Sequence, residues 1–268
     1  MFMLLKWVFK NKYKLMVLIV GLYLFADVAR HKGLTRVLLP KTFPAYNIDS
    51  SSPQNKNTLI NANKEWIKAV NTKELLDPVE RTTAGIECDV YYNREKNVFE
   101  IHHDPGKSAG FDLNELLEEY KKKQLQTSIW LDLKNLEDSN YLPAVNALAN
   151  MRSKYQLTNK VLVESGRADL LTIFSDSGFY TSYYTPLFNP YQINDAELKH
   201  WVDSLSMVLA RSKVNAVSGY YFQYPFLHHY FPNYPVLTWA ANDSFSLVNW
   251  LFKRKAASAK EIFIVLYP

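Results

Sequence analysis

The chain has 268 residues, 48% of them hydrophobic, and a formal charge of +5. That length buries one large core and does not force a division into two domains. The positive charge is confined to residues 1–41, where Lys6, Lys10, Lys12, Lys14, Arg30, Lys32, Arg36 and Lys41 face Asp27 alone, so the remaining chain is slightly acidic and lacks the basic stripe that a nucleic-acid backbone requires. The single cysteine, Cys88, excludes an intramolecular disulfide and a cysteine-based zinc site.

Leu15 to Ala26 is a continuous uncharged apolar run, preceded by Lys10, Lys12 and Lys14 and closed by Asp27 and Arg30. With lysine stems extending its ends, the run predicts a single-pass membrane anchor over 1–41. Asp27 spoils the spacing of a small-residue cleavage site, so the anchor is expected to stay attached. The balance of lysines before the run gives an inside N-terminus and a following domain outside the cytoplasm. A start lying on the membrane surface is the alternative. Residues 42–63 are polar, with two prolines and a serine run, and read as a linker.

From Lys64 to Pro268 short β-rich runs alternate with helical patterns. The expected strands are Trp66–Asn71, Gly85–Tyr92 with a return strand Val98–His103, Ser128–Leu133, Lys160–Ser165, Tyr180–Thr185, Ala216–Tyr221, Val236–Ala241 and Glu261–Leu266. The expected helices are Leu113–Lys122, Leu142–Tyr155, Arg167–Ser175, Asp195–Arg211 and Ser244–Lys255, with Asp112, Asn194 and Asp243 as polar starters. Eight strands alternating with helices predict an α/β fold, a (β/α)₈ TIM barrel over 64–268 preceded by the anchor helix. A doubly wound open sheet is the alternative, but no glycine-rich turn follows the first strand.

Glu87 and Asp89 stand two apart on one strand, so both carboxylates face one side and Cys88 the other. Such a pair can be the ordinary polar face of a strand. It is also costly in close quarters unless something positive lies between, and carboxylate oxygens suit Mg²⁺ or Ca²⁺. The return strand brings His102, His103 and Asp104 back towards this pair. Asp132 and Lys134 close the next strand on one side. In a barrel these strand ends converge, so three acids, one or two histidines and a lysine are expected together. Ser165 and Ser218 have no neighbouring base and are not nucleophile candidates. Glu164 is expected to face the helices or cap a loop. His228 and His229 lack ligand spacing and read as surface or packing residues, and the aromatics around them as core or a lid.

The run Gly85–Pro105, with Glu-x-Asp-Val followed by His-Asp, resembles the glycerophosphodiester phosphodiesterase superfamily. Asp132-x-Lys134 is similar to that family's third acidic ligand and its lysine. Asp in place of Glu there also resembles the related sphingomyelinase D enzymes. The Leu237–Asn242 run resembles the family's Trp-containing seventh strand, and Trp66–Leu76 the first strand of the menorin-like branch. The resemblance spans 64–268. It implies one divalent cation, Mg²⁺ or Ca²⁺, on Glu87, Asp89 and Asp132. It also implies His103 as acid or base supported by Asp104, Lys134 on the phosphate, and Trp239 and Asp104 against a small phosphodiester or lipid-derived substrate, Trp239 on its alcohol part.

The pattern breaks at Lys68, which stands where the family has its first catalytic histidine. Lysine does not exchange protons readily near neutrality, but it can clamp a phosphate. Two expectations follow: a metal-dependent phosphoric diester hydrolase using His103, Lys134 and Lys68, or a membrane-tethered barrel that binds a phosphorylated ligand without cleaving it.

Overall fold

A computed structural model describes residues 12–31, 38–39, 42–48, 52–107, 110–240 and 245–268. Lys6, Lys10, Lys32, Arg36 and Lys41 of the basic flank, and Asp243, lie outside the described residues. In chain order the elements are α1 (Lys12–Arg30), β1 (Glu65–Ile67), α2 (Lys73–Leu76), β2 (Gly85–Asn93), β3 (Val98–Ile101), α3 (Leu113–Lys122), β4 (Ser128–Leu133), α4 (Tyr141–Lys154) and β5 (Val161–Ser165). There follow α5 (Ala168–Asp176), β6 (Tyr180–Tyr184), α6 (Asp195–Arg211), β7 (Ala216–Ser218), α7 (Tyr224–Tyr230), β8 (Val236–Trp239), α8 (Leu247–Ser258) and β9 (Ile262–Tyr267).

Eight strands pair in parallel in the order β1-β2-β4-β5-β6-β7-β8-β9, and β9 returns to β1, which closes the barrel. β3 lies antiparallel on the outer part of β2, after a turn in which Asn97 takes a φ of 55°. The polar starters at Asp112 and Asn194 both form reciprocal capping boxes, with Glu115 and Glu197. The starter of α8 is Ser246. The aromatic run after β7, which lacks periodicity, forms the short helix α7 with Pro225 in its first turn and Phe226 and Tyr230 in the core. His229 packs against Phe43 at 5.5 Å between ring centroids.

Two layers of apolar residues follow from strand alternation. Outward-facing side chains such as Ile86, Cys88, Val90, Ile129, Leu131 and Val163 pack under the helices. Inward-facing Trp66, Trp130, Leu162, Tyr180, Ala216, Leu237, Ile264 and Leu266 fill the barrel. Gly85 is required here. A Cβ at this position would stand 1.9 Å from the Trp66 ring, and that ring is pinned by its N–H donating to Asn61 Oδ1 and the Asn63 carbonyl, both at 3.0 Å. Gly85→Ala is expected to cost about 1–3 kcal/mol from overpacking, read as a melting temperature lower by several degrees in a thermal scan.

The expectation of a membrane-spanning anchor is corrected. Among the described residues no helix is long and apolar enough to cross a membrane. The 19-residue α1 contains Lys12, Lys14, Asp27 and Arg30, so its uncharged stretch falls short of the roughly 20 residues a span needs. Asp27 is buried against the barrel, where it accepts the Val248 N–H at 3.0 Å at the start of α8 and lies 3.7 Å from His31. Described residues of the 42–63 segment also contact the barrel. Phe43 is buried, and the Asn57 amide donates to the Ser175 and Phe179 carbonyls at 2.7 Å.

Candidate active site

The barrel opens at the strand C-termini into a cavity of about 510 Å³, the end where catalytic groups collect in this architecture. Register explains why the acids meet. β2 and β4 pair Glu87 with Trp130 and Asp89 with Asp132, so alternation turns all four towards the interior. One oxygen from each of Glu87, Asp89 and Asp132 falls in a cluster with all separations under 4.8 Å.

Each acid has its own support. Glu87 accepts the Ala69 N–H at 2.6 Å. Asp89 accepts from the Asn71 amide at 2.6 Å, while its own N–H donates to Asn71 Oδ1 at 2.9 Å. Lys134 Nζ sits 2.7 Å from Asp89 and also bonds Asp132. To bring Ala69 round to Glu87 the chain leaves β1 with Ala69 at a φ of 58°, a left-handed conformation that is strained for a residue with a Cβ.

The electrostatics are those of crowded buried acids. Burial, reinforced by Asp89 and Asp132, pushes the Glu87 carboxyl up to about 8. Burial also raises Asp132, against the opposing pull of Lys134. Burial by itself would lower Lys134, but Asp132 and Asp89 hold it above the usual lysine range. When all three carboxylates are deprotonated, one lysine leaves two formal negative charges uncompensated, and the donors are hard oxygens open to the cavity. These residues fit a divalent cation.

His103 lines the cavity at its exposed rim. Its Nδ1 lies 2.9 Å from Asp104 Oδ1, which leaves Nε2 for other partners. Asp104 sits beside the rim, held between Lys107 and His103, and these two hold its carboxyl down to about 2. His102 is buried, stacked on Tyr91 at 4.3 Å, and does not line the cavity. Lys68 lines the cavity as well, so the lysine at the expected histidine position faces the same space as the acids. Trp239 also lines the cavity, edge-on to Tyr184 at 5.3 Å and Tyr220 at 5.7 Å.

Two groups were not legible in the sequence. Asn71 lies in the expected first strand without any cue that it clasps Asp89. Glu164 was expected to face the helices or cap a loop, but its pairing with Asp132 and Ser182 turns it inward, and it lines the cavity. The run Val161–Ser165 is buried on both faces, so alternation of polarity gave no orientation. Ser218 is buried and donates to the Tyr183 carbonyl at 3.3 Å.

No family model matches the chain, and no curated protein does. Solved structures do. A glycerophosphodiester phosphodiesterase from Parabacteroides distasonis superposes with a TM-score of 0.50 at 13% identity, over 76% of this chain and 92% of that one. A phosphodiesterase from Oleispira antarctica, solved with the product sn-glycerol-3-phosphate, superposes with a TM-score of 0.51 at 11% identity, again over 76% of this chain and 92% of its own. Barrel closure, strand order and these superpositions agree: the chain has the fold of the glycerophosphodiester phosphodiesterases.

Proposed function

We propose that the protein is a divalent-cation-dependent phosphoric diester hydrolase acting on a glycerophosphodiester or a phospholipid-head-group-like diester. The observation that carries this reading is the convergence of Glu87, Asp89 and Asp132 on one point of a cavity that also holds Lys134 and His103. Glu87, Asp89 and Asp132 would hold Mg²⁺ or Ca²⁺, which when bound supplies charge neutralisation at phosphate oxygens and lowers the pKa of a bound hydroxyl. Lys134, whose ammonium sits beside Asp89 and Asp132, would hold a phosphate oxygen as a point charge. Lys68 contributes a second positive charge from the opposite side of β2. His103, oriented by Asp104, gives or takes the proton of the alcohol at the rim. Trp239 packs against the alcohol portion. A place in the menorin-like branch rests on the run from Trp66 to Leu76 alone.

Lys68 favours a second reading, a barrel that binds a phosphorylated ligand without turnover, because one of two proton-transfer groups is replaced by a lysine. One pair of experiments separates the two. Thermal scans with Mg²⁺, Ca²⁺ and chelator are run beside hydrolysis of a panel of glycerophosphodiesters. A cation-induced rise in melting temperature with turnover is expected. A rise without turnover selects the binding barrel, and no rise with any cation removes the metal site.

A further inference from the structure

The loop that carries His103 is exposed, and the pair that orients its ring is weak by itself. The side chains of His103 and Asp104 are 74% and 50% exposed, and an ion pair in that setting contributes little order. The layer beneath the loop is different. Strands β2 and β3 pair Val90 with Ile101 and Tyr91 with Glu100, and the next step of that register brings the His102 N–H onto the Asp89 carbonyl at 3.1 Å. Tyr91 and His102 are therefore diagonal neighbours on one face. Their rings stack at 4.3 Å between centroids and 3° between planes, and His102 is buried. Two hydrogen bonds rise from this stack to the loop backbone. His102 Nδ1 lies 2.8 Å from the Asp104 carbonyl. A carbonyl only accepts, so Nδ1 carries the proton. The Tyr91 hydroxyl donates to the His103 carbonyl at 3.3 Å. The Lys107 N–H also reaches the Asp104 carbonyl, at 3.2 Å, and closes the turn. Consecutive carbonyls of the loop are thus tied down to β2, the strand that carries Glu87 and Asp89.

We propose that His102 and Tyr91 are positioning residues, which fix the His103–Asp104 backbone so that the Asp104 carboxylate meets His103 Nδ1 and the Nε2 lone pair is presented at the cavity rim. The use made of that lone pair rests on the phosphodiesterase reading; its placement does not. With both carbonyls pinned, only the side-chain torsions of His103 and Asp104 stay free. The 2.9 Å contact between Nδ1 and Oδ1 then selects the tautomer with the proton on Nδ1. With the ties released, the exposed turn can swing, and water competes for both groups. The residue type at position 102 follows from this role. Phenylalanine would fill the same buried place and stack on Tyr91, but only a ring with an N–H can also hold the carbonyl.

The test uses the full chain and reads His103 without requiring turnover. Nitrogen-15 spectra of histidine-labelled protein, at a pH that leaves the rings neutral, report which ring nitrogen carries the proton, and His103→Gln assigns the signal. Wild type is expected to hold His103 with its proton on Nδ1. His102→Phe should give a mixture of tautomers at His103, and Tyr91→Phe a smaller change in the same direction. His102→Asn, whose amide N–H reaches about the place of Nδ1, should restore the wild-type pattern. In parallel, His102→Phe should lose about tenfold in kcat on a glycerophosphodiester in Mg²⁺ or Ca²⁺ with KM changed less than about twofold, the mark of a misplaced reacting group rather than lost binding. His102→Asn should recover most of that loss. A mixture of tautomers in wild type, the wild-type tautomer retained in His102→Phe, or equal effects of His102→Phe and His102→Asn would overturn the proposal. A merely structural role would show as a lower melting temperature with tautomer and rate unchanged, and would overturn it too. Tautomers that respond as expected in a protein that cleaves no diester would keep the positioning pair and overturn the hydrolase reading instead.

Discussion

Asp89→Asn is expected to lower phosphodiester hydrolysis about a thousandfold, the scale seen when a preorganised electrostatic group is lost, and to abolish stabilisation by Mg²⁺ or Ca²⁺. Asp89 is the most connected of the three acids, with Asn71 on one oxygen and Lys134 on the other. The asparagine variant keeps an oxygen for the Asn71 amide, so the local fold is retained while the charge is lost. Lys134 then neutralises half of the remaining negative charge, and too little field is left to hold a divalent ion. Thermal scans with and without cation, and initial rates on a glycerophosphodiester, read both effects. A variant that still gains stability from cation as wild type does would show that the ion is held elsewhere.

Without cation, the protein is expected to lose stability as pH rises from about 4.5 to about 8. Glu87 titrates near 4.5 when exposed, and in the fold burial pushes it up to about 8. The folded state therefore binds more protons than the unfolded state across that interval. Its contribution is fully present below the exposed value and is lost as pH climbs through the folded value. Burial raises Glu164 and Asp132 in the same direction. A divalent cation needs these groups deprotonated, so it reverses the trend: the cation-induced rise in melting temperature should grow with pH over the same range, and binding should release protons. Melting scans from pH 4.5 to 8 with chelator and with Ca²⁺ give the two slopes. Glu87→Gln should flatten the chelator slope in part. A melting temperature that climbs with pH in chelator, or a cation effect independent of pH, would contradict this account.

Much of the barrel was legible because its strands are short apolar runs separated by amphipathic, well-capped helices. The runs Ser128–Leu133, Leu113–Lys122 and Asp195–Arg211 begin and end where alternation and capping residues place them. The acids were legible because alternation fixes Glu87 and Asp89 to one face, and a barrel gathers strand ends. What escaped was information carried by pairing across strands. Glu164 turns inward because it is in register with Asp132, and nothing within Val161–Ser165 says so. β1 was expected to reach Asn71 but stops at Ile67, because Ala69 must bend round to Glu87. The apolar run of α1 misled for a related reason: its uncharged stretch is apolar but too short to span, and Asp27 is committed to the start of α8.

The join between β1 and β2 is the thinnest in the cylinder, with Ile67 opposite Ile86 as its one paired position. What fastens that join is drawn from the acid cluster: the Val70 N–H on the Glu87 carbonyl at 2.8 Å, Ala69 on the Glu87 side chain, and Asn71 gripping Asp89 from two directions. The groups that would cradle the ion are thus also the buckle of the hoop. Occupancy of the centre should tighten the whole circumference, and amides along this one join should exchange with solvent more slowly when it is filled.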